Sequence, residues 1–308
     1  MKVAIIGGGG RVGSCAAYAL QLVGVVSEII LVDILEDLVQ GEALDLLHGS
    51  ALLHDQCIYV GDRVSAAKAD LIVVTAGLRR KPDESRLDLI NRNVSLFLSV
   101  VDDLNSAGLR EDSIIVVVSN PVDILTHLAV QRSGLPQGQV MGLGTLLDTT
   151  RFRSLIAETI KAAPTQVRGL VLGEHGDSMV PVWSSVSYDG FSLENHADLS
   201  PAAKHRIFEQ TRRSGAEMIR LKGGTGWAVG VSIATLVHAI VLDQRKMLPV
   251  SSMQTGGYGL HGLCISVPTL VGRAGVLKHV ELDLWPRELQ SLKGSAQALL
   301  DTLNRIQV

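Results

Sequence analysis

Aromatic residues are scarce in this chain: three Trp, four Tyr and four Phe make up 4% of 308 residues. A platform that stacks the bases of a single strand needs more of them. Net charge is only −3, so no general pull toward nucleic acid or membrane phosphates is expected. Proline is sparse too, nine against 31 evenly spread glycines, which excludes a collagen-like repeat. Cys15, Cys57 and Cys264 are far apart and odd in number. They offer neither a disulfide framework nor a CxxC metal pair, and a reducing compartment suits them. No uncharged apolar run approaches the ~20 residues that cross a bilayer. The richest stretch, 227–242, contains His238 and stops at Asp243, and the opening MKVAIIGGGG lacks the apolar core of a signal peptide. A cytoplasmic globular protein is expected, without metal, membrane or nucleic-acid partners.

Hydrophobic residues at 46% and charged residues at 19% are ordinary for a folded chain, and the length suits two domains of about 100–200 residues each. Through residue 145, short apolar runs at 3–6, 29–32, 71–75 and 114–119 alternate with helical patterns at 12–23, 37–47 and 87–105. None of these runs alternates in and out, as expected of parallel strands buried on both faces. The order strand, helix, strand predicts a Rossmann-type, doubly wound α/β sheet over 1–145. After Gly144 the texture changes. Helices are predicted over 148–161, 201–221, 226–243 and 286–306, and strands over 247–258 and 280–284, where Val280, Leu282 and Leu284 alternate. An α+β domain over 146–308 follows, joined at a junction rather than by a tether.

Gly8-x-Gly10-x-x-Gly13 directly follows the first strand and opens the first helix. A glycine run can be merely a flexible turn. In this context it fits a dinucleotide loop, with Gly8 for the tight turn, Gly10 for approach to the pyrophosphate and Gly13 for close helix packing. Asp33 ends the second strand twenty residues after Gly13. A carboxylate there accepts both ribose hydroxyls and repels a 2′-phosphate, so NAD is expected over NADP; the plainer alternative is a helix cap. Thr75, Gly77, Ser119 and Asn120 lie at the carboxyl ends of the third and fourth readable strands, where ligands bind in open α/β sheets.

Beyond these features, GGGGRVG, LVD, VTAG, RRKPDESRLDL, SNPVD, LDTTRFR and GEHGDSMVPVWS occur in one order over residues 1–190, and KGGTGWAVG follows at 222–230. Together they resemble the L-lactate/malate dehydrogenase family, most closely its lactate-dehydrogenase-like malate dehydrogenases. The resemblance implies an NAD-dependent enzyme that moves hydride to and from a 2-hydroxy acid. It implies His175 as proton donor and acceptor, Asp148 as its orienting carboxylate, and Arg151 as the clamp on the substrate's C1 carboxylate. It further implies Asn120 as a donor to the substrate oxygen, Arg86 as the lid arginine that polarises the carbonyl, and Asn93 among the cofactor contacts. Arg80 matches the position that selects the substrate side chain, and Thr225 lies in the substrate pocket.

Arginine at position 80 is the malate-type residue, so (S)-malate and oxaloacetate are the expected substrates, with a place in the tricarboxylic acid cycle. Glu84, Leu87 and Thr225 look more like the lactate enzymes, and Asp83, where the family usually has Gly, could pair with Arg80 and blunt its charge, which keeps L-lactate and pyruvate as the alternative. A silent NAD-binding sensor is the non-enzyme alternative, and the presence of His175, Asp148, Arg86 and Arg151 together argues against it. The resemblance also implies a homodimer or homotetramer. Arg153 and Arg168 stand where bacterial lactate dehydrogenases of the family hold an anionic effector, although two solvated surface charges would look the same.

Overall fold

The computed structural model describes residues 1–78 and 84–306. Six parallel strands open the fold: β1 (Lys2–Ile6), β2 (Glu28–Val32), β3 (Cys57–Val60), β4 (Leu71–Val74), β5 (Ile114–Val117) and β6 (Val140–Gly142). They lie in the order 3-2-1-4-5-6, a Rossmann sheet with its switch point between β1 and β4. Every residue of β4 and β5 is buried, which explains their unbroken apolar runs. Helices α1 (Arg11–Val23), α2 (Glu36–Gly49), α3 (Arg63–Ala67), α4 (Arg86–Ser106) and α5 (Val122–Arg132) connect these strands.

From β6 the chain passes straight into α6 (Leu146–Ile160). Short strands follow: β7 (Val167–Arg168), β8 (Val171–Leu172), β9 (Val180–Pro181), β10 (Ser187–Tyr188) and β11 (Phe191–Ser192). Then come α7 (Pro201–Lys222), α8 (Trp227–Val241), β12 (Lys246–Thr255), β13 (His261–Gly272), β14 (Gly275–His279) and α9 (Pro286–Leu303). The β12–β14 meander is antiparallel and joins the edge of the Rossmann sheet, with Ser251 facing Gly142. One nine-stranded sheet therefore runs through both halves of the molecule.

Packing crosses the same junction. Val3, Leu20 and Leu71 share a core with Ile233, Val237 and Val250. Helices α1 and α8 approach so closely that a Cβ on Gly230 would stand 2.5 Å from the carbonyl oxygen of Cys15. The sequence expectation of a strand at 280–284 is corrected: the strand is β14, and 280–284 is irregular. Its backbone is held instead by Pro268, whose carbonyl accepts from Val280 N–H, and by the Tyr258 hydroxyl, which accepts from Leu282 N–H.

Candidate active site

The loop between β1 and α1 is shaped by steric limits that only glycine meets. A Cβ on Gly13 would lie 2.1 Å from the carbonyl oxygen of Gly7, so the first turn of α1 rests directly on the end of β1. Gly7, absent from the sequence expectations, has φ +86°, and a Cβ there would meet Ala76 N at 2.7 Å. A Cβ on Gly8 would press on Leu31 at 2.9 Å, whereas one on Gly10 would meet only Gly7 O, at 3.2 Å. Gly10 thus presents open backbone at the helix N-terminus, a fit for a pyrophosphate.

Asp33 sits at the carboxyl end of β2 and is half-buried. Its Oδ2 accepts from Gly9 N–H at 3.0 Å and its Oδ1 from Leu35 N–H at 3.1 Å. Both oxygens are thereby oriented, and each retains a lone pair for a ribose hydroxyl. The cap and ribose readings are compatible, because the carboxylate braces the glycine loop without using all of its lone pairs.

Other strand-end side chains are committed to the backbone. The Thr75 hydroxyl donates toward the Ile6 and Gly7 carbonyls at 3.0 and 3.1 Å. The Ser119 hydroxyl donates to Ala76 O at 2.5 Å, tying the end of β5 to the segment after β4. Asn93 is buried in α4; its Oδ1 accepts from Leu78 N–H at 2.8 Å and its Nδ2 donates to Leu89 O at 3.0 Å. A Cβ on Gly77 would reach that same Asn93 oxygen at 3.5 Å. Asn93 thus fixes the chain where it leaves β4.

The chemical centre lies where α6 meets the loop after β8. Asp148, in the first turn of α6, is 1% exposed. The His175 Nδ1–H donates to Asp148 Oδ2 at 2.5 Å, and Arg151 Nη1, one helical turn on, donates to Asp148 Oδ1 at 3.1 Å. Burial by itself would raise the Asp148 carboxyl, but the charge and hydrogen bond of His175, aided by Arg151, hold it below its ordinary value. Burial likewise disfavours a charged His175; the Asp148 charge and hydrogen bond outweigh it and raise the imidazole's pKa. Nε2 has no hydrogen-bond partner among the described residues. The pairing leaves one ring nitrogen to exchange a proton with a bound molecule while the other is anchored.

A second carboxylate, missed by the sequence expectations, belongs to the same cluster. Asp123, in the first turn of α5, is 2% exposed, and its Oδ2 accepts from the backbone N–H of His175 at 2.8 Å. SNPVD drew attention to Asn120, but spacing alone does not reveal that the motif's last residue is buried. Asn120 itself is exposed beyond β5 and joins Pro121 by a cis peptide.

Arg86 opens α4, and its Nη1 donates to Asp177 Oδ2 at 2.9 Å, two residues beyond His175. Both partners are mostly exposed, so the pair adds little stability and places Arg86 beside the histidine loop without burying it. Arg80 and Asp83 lie outside the described residues. Thr225 lies half-buried between α7 and α8. The segment carrying it is gripped by Arg11 of the glycine loop, whose guanidinium donates to Gly224 O at 3.1 Å and to Lys222 O. Arg153 donates its Nε to Val167 O at 2.6 Å, and its pKa is lowered by burial and then by the charge of Arg168.

Comparison with known proteins agrees with this architecture. Residues 1–142 match the family model of the lactate/malate dehydrogenase NAD-binding domain, and residues 145–307 match that of its alpha/beta C-terminal domain. An L-lactate dehydrogenase from Synechococcus sp. (strain JA-3-3Ab) is 40% identical, covering 99% of both chains. One from Priestia megaterium is 39% identical, over 99% of this chain and 96% of its own. The crystal structure of the minor L-lactate dehydrogenase of Enterococcus mundtii superposes with a TM-score of 0.95 at 36% identity, covering 100% of this chain and 98% of that one.

These likenesses overturn the expectation of malate and oxaloacetate, and of the tricarboxylic acid cycle with it, because the relatives along the full length are lactate enzymes. The malate expectation rested on Arg80 alone, and one arginine selects a second carboxylate only where its charge meets the substrate unpaired. The chain belongs to the lactate/malate dehydrogenase family and is an NAD-dependent 2-hydroxy acid dehydrogenase.

Proposed function

We propose that this enzyme interconverts L-lactate and pyruvate. The observation that carries the substrate is the full-length likeness to L-lactate dehydrogenases, at 40% identity over 99% of the chain. The partly buried His175–Asp148–Arg151 cluster supports the chemistry. NAD, when bound, takes up or supplies the hydride. His175 Nε2 accepts the hydroxyl proton of lactate and returns it to the carbonyl oxygen of pyruvate. Asp148 holds the ring in one tautomer and stabilises its protonated form. Arg151 is held at the base of the site by Asp148 and retains guanidinium N–H groups to clamp the C1 carboxylate in a two-pronged contact. Asn120 donates to the substrate oxygen, and Arg86, released from Asp177, stabilises negative charge developing there. Thr225 borders the substrate's methyl end.

In this reading Gly8, Gly10, Gly13 and Asp33 hold the dinucleotide. Gly77, Thr75, Ser119 and Asn93 shape the strand ends beneath it. The enzyme works as a homodimer or homotetramer, consistent with exposed apolar side chains on α1, α2 and α8 such as Leu22, Leu38 and Trp227. NAD reduction measured with L-lactate, D-lactate and (S)-malate tests the assignment. Turnover with L-lactate well above the other two is expected, and a higher kcat/KM with (S)-malate would overturn it.

A further inference from the structure

His175 is held by two carboxylates. Asp148 takes the ring, and Asp123 takes the main chain through the 2.8 Å bond from the His175 N–H. Asp123 lies three residues beyond Asn120, so one short segment serves both the substrate-facing side chain and the histidine loop. Its Oδ1 is buried with no hydrogen-bond partner among the described residues. Helix capping does not explain the residue, because the N-cap of α5 is Pro121, and no side chain caps the helix. A backbone N–H needs only a neutral acceptor. A buried carboxylate with one oxygen unpaired costs stability that such an acceptor would not.

Burial pushes the Asp123 carboxyl up to about 6, against the opposing pull of the His175 N–H and the His175 charge. Above that pH the residue is mostly ionised, and its negative charge acts on His175 in the same direction as that of Asp148.

The other charges around the histidine are accounted for. Arg151 of α6 opposes protonation of the ring and is itself bound to Asp148. Asp177 is paired with Arg86 of α4, and Glu174 accepts from the Ser178 hydroxyl at 2.5 Å. From β13, Cys264 lies close enough to Asp123 for the carboxylate's charge to raise the thiol further, so the cysteine stays neutral.

We propose that Asp123 is a positioning residue for the reaction: it fixes the main chain of His175 and adds a second buried negative charge that favours the imidazolium required for pyruvate reduction. The proposal rests on the reading of His175 as the acid–base group.

Asp123→Asn tests it, since the amide oxygen still accepts from His175 N–H while the charge is gone. The pH profile of kcat/KM for pyruvate with NADH should keep its acid plateau. Its descending limb should move to lower pH by roughly one unit, a tenfold change in the ratio of charged to neutral imidazole. NADH affinity, followed by nucleotide fluorescence, should stay within about twofold. A folded Asp123→Asn enzyme whose limb stays in place, or whose rate falls equally at every pH, would overturn the proposal. Should that variant not fold, Asp123→Ser serves, because it removes the charge and leaves a neutral acceptor. A shift in the same direction is expected, and an unmoved limb would overturn the proposal. A wild-type profile with no descending limb, or a His175→Asn enzyme that retains it, would instead count against the assignment of His175.

Discussion

His175 and Asp148 are 27 positions apart in sequence, yet their side chains meet at 2.5 Å in a partly buried pair. The pair sets the expected pH behaviour. Because the folded enzyme raises the imidazole's pKa, the protonated form persists above the ordinary histidine range. Pyruvate reduction should therefore be flat on the acid side and fall as pH rises through that raised value, while lactate oxidation should rise over the same interval. His175→Asn should bind NADH nearly as the parent does and lose about 10²–10⁴-fold in kcat, the usual worth of general acid–base catalysis. Turnover near the parent rate would remove His175 from the mechanism. Asp33 carries a second prediction at this scale. Asp33→Ser removes the carboxylate that would repel a 2′-phosphate and also loosens the Gly9 and Leu35 amides it now holds. The KM for NADH should rise severalfold while that for NADPH falls, and an unchanged ratio of kcat/KM between the two cofactors would contradict the ribose assignment.

Among the elements, most of the periodic ones were legible, whereas the eleven-residue α5 and the twelve-residue β13 are mostly buried, show no clear period and were not expected. The helices α1, α2, α4, α6, α7, α8 and α9 and the strands β1, β2, β4 and β5 all coincide with stretches recognisable beforehand. Four-residue β3, five-residue α3 and three-residue β6 are too short to show a period, and they take their form from the neighbours they pair with or pack against. The alternation at 280–284 misled for a related reason: period two marks a strand only when a ladder partner is within reach. The glycine loop was legible in outline, but its tightest constraint was visible only in three dimensions. Gly13→Ala would drive a methyl group to 2.1 Å from the Gly7 carbonyl oxygen, so the helix must lift off the strand. Overpacking of this kind typically costs about 1–3 kcal/mol. The variant should melt several degrees lower and bind NADH at least tenfold more weakly. Affinity and melting temperature equal to those of the parent would show that the loop is not so tightly seated.

Across the whole molecule, one sheet and two apolar clusters unite the cofactor half with the substrate half, and the parts of the site come from both. Asp123 and Arg86 belong to the first half, Asp148, Arg151 and His175 to the second, and Arg11 reaches from the glycine loop to the segment holding Thr225. Ordered motifs could suggest which residues belong together, but not that Asp123 is buried behind His175 or that Arg11 bridges the halves. Such facts depend on burial and on contacts 52 and 213 residues apart in sequence. Substrate choice was the least legible property, since it hung on the single charge of Arg80. Initial rates of NADH oxidation with pyruvate and with oxaloacetate, measured side by side, test the central claim most directly. The account predicts a clearly higher kcat/KM for pyruvate; a preference for oxaloacetate would contradict it.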